Sequence, residues 1–573
     1  MSNAEVAATF RTLADLLAIR GESTYKVNAY RRAAESIAAL SEPLAAVRGR
    51  SHLTQIPGVG KEIALKIATL LDTGTFPLLE EVEREIPRGV AELLAVPGIG
   101  PKRALALYQT LGIDSLEALR LAASQGRLAT AVGAREAEHI ATWLAERQSP
   151  DERLPLGTAR AQGLDLIRQL QGRVPAIEQI ALSGSVRRMR ETIGDLDIVA
   201  AMADPTVAVQ AFLALPAVAR VEAQGANRCR VVLQNGFAAD LWVLPPPHWG
   251  SLLLHTTGNK YHDIRLRDLA IARGASLSEY GITTGARLIP CAREEEVYAF
   301  LGMQYIPPPM RENTGEIDLA LRAALPAVVE QGQVRGDLHM HTTWSDGTRS
   351  VREMALAGRQ RGYAYICITD HSQGLAIANG LDAARLHAQR QEIDQVNAEL
   401  APFRVLQGVE LEVRADGSLD LPDEVLAGLD LVIAAVHTGL RQERERLTER
   451  ALSALRHPLV DILAHPTGRI VGGRAGGDFD LERLYAEAAR TGTALEIDGD
   501  PARLDLRDVH ARAALAAGCM FSIDSDAHSV EGLENIYYGI GVAQRAWLPP
   551  ERVLNTLPLD ALLARRKRQG AAS

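Results

Sequence analysis

The sequence predicts a multidomain protein: an all-α N-terminal part, an α/β centre and a C-terminal β/α barrel. Three observations carry this reading. Two Pro-Gly-apolar-Gly turns, at Pro57–Gly60 and Pro97–Gly100, each open an apolar-periodic helix. Short apolar strands between residues 182 and 243 run beside carboxylates. From Gly336 on, short apolar runs ending in His, Asp or Glu alternate with helical patterns, the rhythm of a barrel with its site at the strand C-termini. A chain of 573 residues should hold several domains, and 47% apolar with 23% charged residues is ordinary for globular protein. The formal charge of −9 argues mildly against nucleic acid, but a whole-chain sum hides local patches and has little weight. Cys229, Cys291, Cys367 and Cys519 lie far apart without C-x-x-C pairing, which fits a reducing compartment and excludes a thiolate zinc finger. With no basic-plus-apolar leader and no apolar run near the ~20 residues that span a bilayer, the expected location is cytoplasmic, with no membrane partner.

In order along the chain, residues 3 to about 86 read as helical, starting with Phe10, Leu13, Leu16, Leu17 and Ile19 on one stripe. A second helix, rich in positive charge, carries Lys26 and Tyr30. Gly58 and Gly60 let the backbone approach a phosphate, and the helix beginning at Lys61 points free N–H groups at it. This is a helix-hairpin-helix motif, read as sequence-independent contact with the DNA backbone. Gly98, Gly100 and Lys102 repeat it about forty residues on. One copy alone is any turn; two copies favour DNA.

In the centre, Leu182-Ser183-Gly184-Ser185 opens a basic segment with Arg187, Arg188 and Arg190, and Gly194 releases the chain into Asp195-Leu196-Asp197-Ile198. On a strand, Asp195 and Asp197 share one face while Leu196 and Ile198 go to the core. Like charges held together are costly, and divalent cations remove the conflict. The Gly184-Ser185 turn offers N–H groups to a phosphate, and Arg188 adds charge at the distal end of a triphosphate. An Asn235-Gly236 hairpin brings Asp240 in as the third carboxylate.

The order G-S, R-R, G-D-x-D resembles the nucleotidyltransferase superfamily, and specifically DNA polymerase family X. The resemblance implies a nucleotidyltransferase palm over 150–253 and a thumb over 254–318, after a lyase-like domain over 1–88 and a DNA-binding subdomain over 89–149. It makes Gly184, Ser185, Arg188 and Gly194 nucleotide-binding. Asp195, Asp197 and Asp240 would hold two Mg or Mn ions, with Asp240 accepting the proton of the primer 3′-OH. Lys66 falls where lyase-active members keep their Schiff-base lysine; such an amine needs a lowered pKa, and the alternative role is to offset phosphate charge. Thr257-Gly258 matches the turn that checks the incoming sugar, although His255-Thr256 replaces an aromatic pair and Asn259 a Ser. Asp263 and Arg267 take the places that face the minor-groove side of the nascent pair, the first being Asn in most members. Trp242 stands where an Arg is common. A linker over 319–335 reads as helical from Leu319 to Gly332.

His339-Met340-His341 puts two imidazoles on one strand face. Asp346, His371, Glu410, His437, His465, Asp526 and His528 follow at or near the ends of apolar runs. The set resembles the PHP (polymerase and histidinol phosphatase) domain, here 336–573, a distorted (β/α)7 barrel with three metals. The resemblance groups His339, His341, Glu410 and Asp526 on one ion, Glu410, His437 and His465 on a second, and Asp346, His371 and His528 on the third. Nitrogen and oxygen ligands without thiolate suit Mn or Zn, with Mn the first choice. Such ions activate water against a phosphodiester. Arg469, Glu412 and Asp498 lie beside strand ends as candidate substrate contacts, the latter two equally as supports for the ligands or as solvated surface acids.

Together these imply a DNA-directed DNA polymerase filling short gaps in repair, with a Mn-dependent 3′→5′ exonuclease that extends to abasic-site or 3′-end phosphodiester cleavage. The implied partners are gapped or 3′-ended DNA and deoxynucleoside triphosphates, and a monomer is the default. Two alternatives stand beside it: a PHP phosphoesterase with an impaired polymerase core, and a DNA-end-binding adaptor.

Overall fold

The computed structural model describes residues 3–38, 40, 44, 53–56, 58–96, 99–133, 136–137, 140 and 153–566. The chain forms two compact units, Met1–Glu152 with Asn313–Gly315, and Arg153–Glu312 with Glu316–Ser573.

The first unit is helical, with Asn3–Arg20, Thr24–Ala38, Lys61–Thr73, Pro77–Glu85 and Pro101–Leu111 as its larger helices. Phe10, Leu13 and Leu17 meet Ile67, Phe76, Leu107 and Leu119 in one hydrophobic cluster that runs through both helix-hairpin-helix copies. The segments expected as 1–88 and 89–149 therefore share a core. Tyr30 belongs to it: the ring is 4% exposed and lies 6.0 Å from Phe10. Val27, Tyr30, Ala34 and Ile37 form the apolar stripe of their helix, so burial of the ring claims the side chain.

In the second unit the central sheet has the strand order Gln179–Leu182, Leu196–Ala201, Ala238–Leu244, Arg228–Leu233, Val218–Gln224. The expected hairpin forms, with Gly236 at φ 83 in its turn. Leu196, Ile198, Leu241 and Val243 are fully buried, which fixes the register and aims the alternate residues at the other face. The thumb follows through helices Trp249–Thr257 and Lys260–Ile271, a three-stranded antiparallel sheet and helix Glu294–Phe300. The helix expected over Leu319–Gly332 is shorter: Glu316–Leu321. Ala323 turns to φ 53, and Leu325 precedes Pro326, whose ring disfavours a helical residue before it.

The C-terminal barrel is built from parallel segments Gly336–Asp337, Tyr365–Ile368, Arg404–Gln407, Glu410–Glu412, Ile433–Ala435, Ile462–Leu463, Ala494–Asp498 and Phe521–Asp524. They form two sheets that divide within the run 404–412, where Gly408-Val409 interrupts one strand. A Cβ on Gly408 would stand 2.8 Å from Cys367 Sγ, so neighbouring chains crowd this point. Parallel bridges His371–Glu410 and Met340–Ala527 link the sheets, making a closed but irregular seven-segment ring. Palm and barrel share a continuous core. Barrel helix Ile536–Arg545 packs so closely on the palm that a Cβ on Gly541 would lie 2.5 Å from Met189 Cγ.

Candidate functional site

Leu196–Ala201 runs parallel to Ala238–Leu244, which sets Asp197 directly opposite Asp240, and Asp195 precedes the first of these strands. Gly184 starts a one-turn helix at φ 55, and a Cβ there would fall 1.8 Å from Asp197 Oδ2. Only glycine lets this turn lie against the carboxylate. Burial, then the charges of Asp195 and Asp240, push Asp197 up to about 7. Burial likewise lifts Asp240 to about 6 although Arg230 opposes it. Arg230 faces Asp240 across the hairpin, pairs with it, and comes within 3.4 Å of Asp195 Oδ2. A site that raises carboxylate pKa values and draws in a guanidinium has a deficit of positive charge, the condition that divalent cations meet.

The cleft beside these carboxylates is lined by Gly184, Ser185, Arg188, Thr257, Gly258, Asp263 and Arg267. Gly194 lies one residue before Asp195 and packs against Arg153: a Cβ there would meet its Nη1 at 2.9 Å. Arg188 donates to the Thr257 carbonyl. Thr257 itself is buried, its hydroxyl taken by Arg187 at 2.7 Å and Ser183 at 3.2 Å, so the turn is held from behind. Burial raises Asp263 to about 7 despite Arg267. Arg267 donates to His255 Nδ1 at 3.1 Å, which requires a neutral imidazole with its proton on Nε2. Trp242 packs edge-on to His255 and under Arg228.

All nine barrel residues come together. His465 Nε2 and His437 Nε2 approach Glu410 Oε1 at 2.8 and 3.0 Å, and His341 Nε2 lies 3.1 Å from Asp526 Oδ1. His371 Nδ1 stands 2.8 Å from Glu410 Oε2, yet among the described residues neither atom has a hydrogen-bond partner. Buried lone pairs that converge without a proton between them fit a cation. Burial alone would lower the pKa of His339, but Glu496, Glu410 and Asp526 outweigh it, so the pocket favours positive charge there. Neighbouring groups of ligands share members. His341 also joins Asp346, His371 and His528, and His371 also joins Glu410 and His437.

Glu496 and Arg503 are not singled out by the sequence pattern, while Glu412 takes the supporting one of its expected roles. Glu496 accepts from His339 Nδ1 at 2.6 Å, and Glu412 from His437 Nδ1 at 2.7 Å, which leaves each Nε2 lone pair free to coordinate. Glu496 lies between buried Leu495 and Ile497 on a strand, and an acid fully buried there was the available signal. Arg503, within 3.6 Å of Asp526 Oδ2, lines the barrel cleft. Arg469, expected at substrate, instead donates to Glu191 of the palm at 2.8 Å. Asp498 is fully buried and lies 3.5 Å from Arg503, so it sits behind the site rather than in it.

In the helical unit Gly60 and Gly100 cap their helices with nearly the same backbone, φ −78 and ψ 174 against φ −88 and ψ 176. Neither has an atom where a Cβ would add one, so a phosphate can approach both. Gly58 has φ 78. Lys61 and Lys102 are exposed, while Lys26 is engaged by Glu22 at 3.0 Å. Gly98 lies outside the described residues. Lys66 is 3.8 Å from Glu62 and sits 6.0 Å over the Tyr30 ring. No helix among the described residues is long and apolar enough to cross a membrane.

Known families match along the chain: a helix-hairpin-helix domain over residues 1–76, a SAM-like helix-hairpin-helix tandem over 90–141, a DNA polymerase beta thumb over 252–312 and a PHP domain over 337–494. The barrel part is similar to a probable phosphatase of Syntrophotalea carbinolica, 26% identical over 38% of this chain and 90% of that protein. A probable phosphatase of Shewanella sediminis is 27% identical over 41% of this chain and 94% of its own length. The DNA polymerase/3′-5′ exonuclease PolX of Bacillus subtilis is 37% identical over 577 residues, 99% of this chain and 100% of that protein. With that full-length likeness, and with helix-hairpin-helix, thumb and PHP segments in one order, the chain belongs to the bacterial PolX family of DNA polymerase/3′-5′ exonucleases.

Proposed function

We propose that this chain extends a primer 3′ end in gapped DNA at the palm carboxylates and shortens a 3′ end at the barrel cluster. The observation that carries the first half is the meeting of Asp195, Asp197 and Asp240 at the Gly184-Ser185 turn. Divalent cations held there, Mg or Mn, would neutralise charge on the attacking and leaving oxygens. Asp240, opposite Asp197 on the neighbouring strand, is the carboxylate assigned to accept the proton of the primer hydroxyl. The Ser185 N–H and Arg188 receive the phosphates, and Asp263 and Arg267 line the base side.

In the barrel, nitrogen and oxygen donors without thiolate favour Mn, with Zn second. Arg503 is placed to hold the phosphodiester beside them. The helix-hairpin-helix glycines and Lys61 and Lys102 grip the DNA backbone without reading sequence. Lys66, partly shielded over Tyr30, is assigned the Schiff-base role on a 5′-deoxyribose phosphate. Borohydride should trap it on such DNA and fail to trap Lys66→Ala. The four described cysteines are buried free thiols, in keeping with the cytoplasm.

A duplex with a one-nucleotide gap and a 5′-phosphate tests the reading. Extension is expected with triphosphates and Mg or Mn, and 3′ shortening with Mn alone. Shortening without any extension by folded protein would leave only a barrel phosphoesterase with an inactive palm.

A further inference from the structure

Arg545 closes barrel helix Ile536–Arg545, yet its guanidinium serves the palm and thumb. Nη1 donates to Glu312 Oε1 at 2.8 Å and to the Arg188 carbonyl at 2.9 Å. From the barrel side, Asp508 Oδ2 fixes it, accepting from Nε at 2.8 Å. Glu312 then divides its carboxylate between two parts of the nucleotide cleft: Oε1 accepts from Arg188 Nε at 3.2 Å, and Oε2 from Asn259 Nδ2 at 3.0 Å. Asn259 caps helix Lys260–Ile271, which carries Asp263 and Arg267, by accepting from the Tyr261 and His262 N–H groups. Arg545 is 6% exposed and Glu312 17%, so this is a desolvated network rather than a surface pair. Without Arg545, Glu312 keeps Arg188 and Asn259 but loses its anchor to the barrel, and Asp508 loses the guanidinium that it holds, so the network must reorient.

We propose that Arg545, a residue of the C-terminal barrel, is a positioning residue for the incoming nucleotide: through Glu312 it sets Arg188 on the phosphate side and the start of the thumb helix on the base side. The barrel is then a structural part of the polymerase site as well as the seat of a second one. This rests on the palm being the nucleotidyl-transfer site.

The test uses the full-length chain on gapped duplex and compares wild type, Arg545→Met, Arg545→Lys and Asp508→Asn. Arg545→Met should raise KM for the triphosphate by roughly tenfold or more, the scale of one lost charged hydrogen bond, with a smaller change in kcat. Arg545→Lys keeps the charge without the fork and should recover part of that loss; Asp508→Asn should move KM in the same direction by less. The rate of 3′ shortening without triphosphates should stay at the wild-type value. An unchanged KM in Arg545→Met overturns the inference. So does a parallel fall of extension, shortening and Tm, which marks a purely structural contact. A wild-type chain that shortens DNA but never extends it overturns the palm reading and this inference with it.

Discussion

The palm and the barrel both concentrate acidic groups, and they solve the problem of charge in opposite ways. In the palm, Asp195 and Asp197 border an open cleft, Asp240 is half-buried under Arg230, Asp197 is pushed up to about 7, and Arg230 lies against two of the carboxylates. Strand register, the Gly184 turn and Arg230 hold these acids, and among the described residues no further carboxylate orients them as one orients each of two barrel imidazoles. In the barrel six of the nine donors are buried, imidazoles outnumber carboxylates, and His339 and His437 are each oriented by a further acid, Glu496 or Glu412. The difference teaches what each site is for. Under the proposed function, the palm carboxylates would take their cations together with a triphosphate, whereas oriented imidazoles would hold theirs without one.

Four substitutions sharpen or break that contrast. The largest effect is expected from Asp197→Ala, on the order of a thousandfold loss of primer extension, about 4 kcal/mol of transition-state stabilisation, with 3′ shortening unaffected. Glu410→Gln should do the reverse, because Glu410 stands against His339, His371, His437 and His465 at once. Rates of shortening in Mn measure it, and equal loss of extension would erase the distinction between the sites. Glu496→Gln touches no substrate but weakens the acceptor that orients His339, so metal affinity measured by chelator competition should fall roughly 10–100-fold.

The smallest effect concerns Asp263. Its carboxyl, held up at about 7 by burial, is mostly a neutral donor below that pH and a charged acceptor above it. Asp197 and Asp240 titrate in both proteins, so the readout is a ratio: extension efficiency of wild type relative to Asp263→Asn, permanently neutral at this position, should fall a few-fold as pH rises through about 7. A parallel fall in both proteins would place the titration elsewhere.

Much of this architecture is legible in the sequence because its signals are local. Asn235-Gly236 between apolar runs makes a hairpin, and alternation around Asp195-Leu196-Asp197-Ile198 aims two carboxylates away from the core. His-x-His and the strand-end acids of the barrel follow the same period. What is not legible depends on partners far along the chain. Arg230 meets Asp195 only because two hairpin strands extend the sheet, and Arg545 meets Glu312 across 233 residues. The packing of the Tyr30 ring on Phe10 is likewise a contact between separate helices. Pro326 was visible and ends the helix expected to reach Gly332.

The most direct test of the contrast is the metal content of the protein after exhaustive dialysis against metal-free buffer, following reconstitution with Mn. Wild type and an Asp195→Ala, Asp197→Ala variant should retain the same amount, and an Asp526→Ala, His341→Ala variant should retain far less. Retained metal that disappears with the palm substitutions and survives those in the barrel would contradict the account.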